Sequence, residues 1–365
     1  MSETSEKNDI LLEVKDLKVQ FDVRDGIVKA VDGATFNIRV GRTLGVIGES
    51  GCGKSVTARA ILRMVPKPGK VTGGEIFYHR KVQSNGAEVT DVIRVNDLNP
   101  DGDVIRQIRG GEIAMIFQEP MSSLTPVYTA GSHIFEAVSL HRLTPLRKVG
   151  TQVEEAVQAH RQVSKDEARE IAIDMLRRVG IPKPNERVDS YPHQLSGGQR
   201  QRVMIAIALS CQPRMLIADE PTTALDVSIE AQILDIMREL QETVDMAIMF
   251  ITHNLGVVAE MAQDMVVMYM GKVVEKASAV ELFYEPKHPY TRALLKSIPH
   301  VGTKSRERLA SIEGMVPDPF NLPSGCVFHP RCPDYMPGKC DRITPSWTQV
   351  EGEDHWARCL LYEEV

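Results

Sequence analysis

Residues Gly48-Glu49-Ser50-Gly51-Cys52-Gly53-Lys54-Ser55 constrain this chain most, because they follow directly on the apolar run Leu44, Val46, Ile47 and open a helical stretch that ends before Pro66 and Pro68. The pattern G-x-x-x-x-G-K-[ST] set between strand and helix is a phosphate-binding turn. Its glycines let backbone N–H groups point inward, and the helix N-terminus adds a favourable dipole. Lys54 is then placed to reach the β- and γ-phosphates of a nucleotide, and the Ser55 hydroxyl to coordinate Mg2+. The chain must therefore contain a β–turn–α unit with its phosphate site at the junction.

The rest of the chain supplies more such units. Short apolar runs from Leu11 to Ile47, punctuated by Asp25-Gly26 and Val40-Gly41, read as three strands. Glu112 to Phe117, Met215 to Ala218 and Ala247 to Thr252 read as buried strands, while Thr129 to Leu140, Asp166 to Val179, the stretch after Ser196 and Val227 to Glu242 read as helices. This alternation predicts an α/β layer architecture with parallel strands. Residues 79–111, rich in Asn, Asp and Gly, are expected to be a surface insertion, and 142–163 are poorly patterned. Periodicity fades near Ser297, where a domain boundary is expected.

Two further patterns carry chemistry. Met215-Leu216-Ile217-Ala218-Asp219-Glu220 is an apolar strand ending in two carboxylates. Phosphoryl transfer to water needs one carboxylate to hold Mg2+, which suits Asp219, and a group to orient the attacking water, which suits Glu220. Leu195-Ser196-Gly197-Gly198-Gln199 precedes a second helix, with Ser196 as N-cap and the glycines leaving amides uncovered at a positive helix end. On its own that is a capped helix after a glycine turn; beside the first turn it is a second anion cradle.

In this order the motifs resemble the ATPase subunit of an ATP-binding cassette (ABC) transporter. Ser196-Gly197-Gly198-Gln199 is similar to the family signature, Gln118 in IFQEP to its Q-loop, Thr223-Ala224-Leu225-Asp226 to its D-loop and His253 in FITHN to its switch histidine. Phe21 takes the place of the aromatic that stacks on adenine. The resemblance implies a P-loop ATPase domain over residues 1–297, built from a mixed-sheet core, an antiparallel β subdomain and a helical subdomain at about 119–210. It implies ATP at Gly48–Val56, Mg2+ at Ser55, Gln118 and Asp219, Glu220 as general base, and His253 at the γ-phosphate. It also implies that each ATP lies between the phosphate loop of one subunit and the signature of a facing one, with Asp226 at that junction, and that Gln118 links the site to a membrane partner.

Three stretches, IFQEPMSSLTP, SYPHQLSGGQRQRVMIAIAL and YEPKHPYTRALLKSIP with GCVFHPRCP, resemble the oligopeptide and dipeptide importer branch, which includes nickel and glutathione systems. This implies two transmembrane permease subunits, a second ATPase subunit that is a paralogue, an extracytoplasmic solute-binding protein acting indirectly, and a peripheral position on the cytoplasmic face of the membrane. Peptide is the expected cargo, with nickel, glutathione or another small solute as the alternative. Residues 298–365 form a small Cys-rich extension in which Cys326, Cys332, Cys340 and Cys359 can hold a tetrahedral zinc or a [4Fe–4S] cluster. The segment lacks the C-x2-4-C knuckles usual for zinc, and the resemblance to the branch favours the cluster, with four free thiols as the remaining reading.

Composition removes other classes. With 42% hydrophobic and 25% charged residues the chain is an ordinary globular one, and its net charge of -6 argues against a nucleic-acid surface. No apolar run of about 18 residues occurs and the N-terminus lacks a signal-peptide core, so neither a membrane span nor export is expected. A DNA-repair ATPase of the same cassette needs a long coiled coil between Gln118 and Ser196, and that interval is too short. Each motif occurs once, which excludes a translation factor with two cassettes.

Overall fold

The structure, a computed structural model, describes residues 9–84, 87–117, 147–222, 226–297, 312–352 and 354–363. The expectations for Gln118, for Thr223 to Leu225, for the helix 129–140 and for the MSSLTP stretch lie outside these residues. Two compact units are formed: Met1–Ile38, Thr43–Asn96 and Ile251–Val365 in the first, Arg39–Arg42 and Asp97–Phe250 in the second.

The first unit opens with β1 (Ile10–Val23), β2 (Gly26–Arg39), β3 (Thr43–Ile47), α1 (Lys54–Ile61), β4 (Gly69–Ser84) and β5 (Ala87–Arg94). β1, β2, β4 and β5 make an antiparallel sheet in the order β2-β1-β4-β5, with Phe21 opposite Gly69 and Arg80 opposite Asp91. The expected surface insertion at 79–111 is thus corrected. Its first part is a hairpin arm, because β1 supplies a hydrogen-bonded, partly apolar neighbour that the polar composition conceals.

In the second unit lie β6 (Ile113–Ile116), α2 (Val149–His160), α3 (Lys165–Arg178), α4 (Gly197–Ser210), β7 (Met215–Asp219), α5 (Val227–Val244) and β8 (Ala247–Ile251). β6 and β7 pair in parallel, and every residue of β6, β7 and β8 is buried, as strands covered on both faces must be. α2, α3 and α4 pack on one another. α2 corrects the reading of 142–163 as unpatterned: Gln152 and Glu154 are buried on it but satisfied, Gln152 donating to the Arg147 carbonyl (3.0 Å) and Glu154 accepting from Arg169 (3.3 Å).

The chain then completes the first unit with α6 (Leu255–Met261), β9 (Asp264–Tyr269), β10 (Lys272–Ser278), α7 (Ala279–Tyr284), α8 (Pro289–Lys296), β11 (Thr348–Glu351) and β12 (His355–Ala357). Here the strand order is β11-β12-β10-β9-β3, with β3 and β9 parallel and the remaining pairs antiparallel. Tyr269, Tyr290 and Phe328 pack ring against ring at 4.7–5.4 Å in one core with Ile47, Val267 and Leu282. The C-terminal segment is therefore part of this unit's core. At its centre Glu275 of β10, fully buried, accepts from the Lys287 and His288 backbone N–H groups (2.6 and 3.0 Å) and pairs with His355 Nε2 (2.8 Å).

Candidate functional site

The phosphate loop follows β3 as the sequence requires. Gly48 lies at φ +150°, and a Cβ there would sit 2.2 Å from the Met268 carbonyl oxygen. Gly53 (φ +100°) would bring one to 2.2 Å from the Ala30 oxygen. Only glycine lets the backbone pass this close while turning its amides toward a ligand. Lys54 Nζ donates to the carbonyls of Gly48 (2.7 Å) and Glu49 (3.0 Å), arching over the loop it belongs to. Cys52 is buried with its thiol pushed up by burial, an interior cysteine rather than a reactive one. Ser55 and Val56 are half-buried in the first turn of α1.

Glu49 is held on all sides. Its N–H donates to the Tyr290 hydroxyl (2.9 Å) and its carboxylate takes a two-pronged grip from Arg331 (2.7 and 3.0 Å). Burial keeps the Tyr290 phenol protonated. Sequence reasoning missed Arg331 and Tyr290. The only signal was that YEPKHPYTRALLKSIP and GCVFHPRCP contain them, with nothing to say what they touch.

Other expected site residues of the first unit are Phe21 and His253. Phe21 lies half-buried on β1; a Cβ on Gly69 would come within 2.6 Å of its ring, so the glycine makes room for it. His253 is exposed just after β8, where Thr252 and Asn254 fix the turn by hydrogen bonds at 3.0 and 3.1 Å that start α6.

The second unit holds the carboxylates and the signature. Asp219 is buried at the end of β7. Glu220 has φ +49°, a left-handed conformation costly for a side-chain-bearing residue and characteristic of functional turns. Ser196 caps α4 reciprocally with Gln199: the Gln199 N–H donates to Ser196 Oγ (3.3 Å) and the Ser196 N–H to Gln199 Oε1 (3.1 Å). Ser196 and Gly197 are exposed, Gly198 is half-buried, and among the described residues no atom outside the adjoining chain comes within 4 Å of a Cβ built on Gly197. The helix end is thus open to an anion from outside. Asp226 is exposed at the start of α5.

The four C-terminal cysteines share a neighbourhood. None is in a disulfide, the Cys326 N–H donates to the Cys340 carbonyl (2.8 Å), and Cys340 and Cys359 are buried. Burial, reinforced by the charges of the other three, pushes the Cys359 thiol up to about 12, and burial likewise takes Cys332 to about 11. Among the described residues, however, no group of three or more His, Cys, Asp or Glu side chains is gathered so as to hold a metal ion. The coordination sphere expected of these four cysteines is not assembled among the described residues.

A glycine-lined turn between a buried parallel strand and a helix, a strand-end acid pair and a capped, open glycine helix end together define a nucleotide-binding cassette ATPase. The chain belongs to the ABC transporter family, which it matches over residues 31–223. Residues 274–340 match the C-terminal region of oligopeptide/dipeptide transporters. Over its whole length and 98% of the relative's, the chain is 44% identical to a probable peptide ABC transporter ATP-binding protein, y4tR, of Sinorhizobium fredii. It is 43% identical to the dipeptide transport ATP-binding protein DppD of Bacillus subtilis (97% of this chain, 95% of that protein) and 43% identical to DppD of Escherichia coli (92% of each). Among solved structures it resembles the ATP-binding cassette MJ0796, a dimer in a post-hydrolysis state bound to ADP and Pi. That likeness has a TM-score of 0.59 and 25% identity, over 74% of this chain and 99% of that one. No helix among the described residues is long and apolar enough to cross a membrane.

Proposed function

We propose that this chain is the ATP-hydrolysing subunit that powers import of di- and oligopeptides through an ABC transporter. The reading rests on the phosphate loop, where Lys54 is already held over the glycine turn by the Gly48 and Glu49 carbonyls. Lys54 binds the β- and γ-phosphates, Ser55 and Asp219 hold Mg2+ together with Gln118, and Phe21 stacks on adenine. Glu220 orients and deprotonates the attacking water and His253 contacts the γ-phosphate. Ser196, Gly197, Gly198 and Gln199 present their amides to the ATP of a facing subunit, a paralogue of this chain, with Asp226 at the junction. The open end of α4 supports this, since among the described residues nothing beyond its own helix start crowds Gly197.

Residues 1–297 form the ATPase domain and 298–365 the extension. Two permease subunits hold the pair at the cytoplasmic face of the membrane, and a solute-binding protein delivers the cargo. All three relatives above are named for peptides or dipeptides, which favours peptide over nickel or glutathione. Co-purifying the complex and measuring ATP hydrolysis with each solute-loaded binding protein tests this. Stimulation by di- or oligopeptides is expected; stimulation only by nickel or glutathione overturns the cargo.

Cys326, Cys332, Cys340 and Cys359 are the ligands of a [4Fe–4S] cluster, with zinc as the alternative. Four unbridged thiols within one another's field support this donor set. Such a group, once bound, cross-links the stretch from Cys326 to Cys359 and supplies folding energy to it. Anaerobically purified protein is expected to carry roughly four irons and four sulfides per chain. Zinc alone decides for zinc, and neither metal refutes both.

A further inference from the structure

Arg331 sits in the C-terminal segment, 282 residues from the phosphate loop in sequence, yet its side chain is only 4% exposed and faces that loop within the first unit. Its five N–H donors are all used. Nη1 and Nη2 grip the two Glu49 oxygens at 2.7 and 3.0 Å, Nη1 also reaches the Tyr269 hydroxyl (3.3 Å), and Nε and Nη2 donate to the carbonyls of Glu313 (3.2 Å) and Ile312 (3.5 Å). The guanidinium lies 5.8 Å from the centre of the Tyr269 ring. A planar fork locked in this way fixes its partner in direction as well as charge.

The partner is unusual for its place. A carboxylate in a loop that must receive polyphosphate repels its own ligand unless it is neutralised and turned aside. Arg331 does both. The remaining polar groups of Glu49 are fixed as well: its N–H by Tyr290, itself packed against Tyr269 and Phe328, and its carbonyl by Lys54 and by the Cys52 N–H (3.3 Å). The Lys54 ammonium is therefore aimed by a carbonyl whose residue is anchored in the C-terminal segment.

We propose that Arg331 is a positioning residue of the nucleotide site: by holding and neutralising Glu49 it sets the phosphate loop in its binding geometry, so the C-terminal segment governs nucleotide affinity. This deepens the reading above, since it rests on Lys54 and its loop binding the phosphates. Arg331 touches neither substrate nor reacting atoms and acts only through Glu49.

The test is a calorimetric titration of the full chain with the Mg2+ complex of a non-hydrolysable ATP analogue. R331M is expected to weaken binding about tenfold or more, the loss typical of a broken charge-assisted pair. R331K keeps the charge but not the fork and is expected to lie between R331M and wild type. In the presence of E49Q the effect of R331M disappears, because no carboxylate remains to hold. In the assembled complex R331M raises KM for ATP while kcat stays within about twofold, as P-loop positioning without contact to the reacting atoms requires. An equal loss on adding R331M with and without E49Q, or no loss in R331M, overturns the proposal. Should R331M fail to fold, unchanged affinity in R331K overturns it. K54A separates the two readings: it abolishes binding if the loop is the phosphate site, and normal binding by K54A sinks that reading whatever Arg331 does.

Discussion

His288 is a point at which pH reaches the first unit. It is buried at the N-terminus of α8, and its Nδ1 accepts the Tyr290 N–H at 3.1 Å, so the ring is neutral there and protonating that nitrogen destroys the cap. Burial pulls its pKa down from 6.5 to about 4; the nearby Glu275 charge works against burial and Arg292 with it. Between those two values the unfolded chain binds a proton that the folded chain refuses. Stability is thus complete above pH 6.5, falls as pH drops toward 4 and is flat below. At about 1.4 kcal/mol per pH unit, the window from 6.5 to about 4 amounts to about 3 kcal/mol from this one ring.

The matching variant is H288N, which keeps an acceptor for the Tyr290 N–H but does not titrate. It loses the contact between the imidazole and the Phe328 ring (5.8 Å between centres), costing about 1 kcal/mol at every pH. The chain has two tryptophans, Trp347 and Trp356, stacked at 6.1 Å in the C-terminal segment, so their fluorescence reports on the first unit alone. Urea unfolding followed this way at pH 7.5 and 4.5 is expected to show wild type losing about 2–3 kcal/mol more than H288N. Equal losses in the two proteins refute the reasoning.

E220Q in the assembled complex is expected to bind ATP within a few-fold of wild type while turnover falls by about a hundredfold or more, since it keeps shape but removes the proton-accepting charge; turnover near wild type counts against Glu220 as base. S196R fills the open end of α4 with a bulky cation, and a dimer pairing it with an intact subunit should lose hydrolysis at the affected composite site; two fully active sites rule out the facing arrangement. G53A pushes a Cβ to 2.2 Å from a backbone oxygen that has no room to move, and should cost roughly 2–4 kcal/mol in thermal unfolding. A midpoint unchanged within a degree contradicts that.

How much of this was legible from the sequence depends on how local the determining contact is. β3, the turn and α1 are contiguous and were read directly, as were β7 and β8, whose unbroken apolar runs need no partner to be recognised. The cap of α4 was read from Ser196 alone, and Ser164 with Glu167 repeats the device at the start of α3. The hairpin of β4 and β5 was not read, because its stability lies in cross-strand pairs such as Arg80 with Asp91 (2.9 Å) and in its pairing to β1. α2 escaped because its polar residues are buried yet paired, which blurs the 3.6-residue period. Arg331 and Glu49 illustrate the limit: the sequence places Glu49 in the phosphate loop but gives neither residue a partner, and only the fold sets them face to face.

Glu275 has a consequence for how chains of this kind can be shortened. Its carboxylate lies in a core strand, but one of its three partners, His355, comes 80 residues later. A chain cut before β12 keeps the acid but loses the imidazole and the strand that covers it. Truncation and the residue at 275 are therefore one character, not two. Replacing Glu275 by an apolar side chain of similar volume also strands the Lys287 and His288 N–H groups, so a viable tailless version must rebuild the turn into α8 as well. The terminal segment is thus inherited with the strand it clasps, and a gene that sheds the one must rewrite the other.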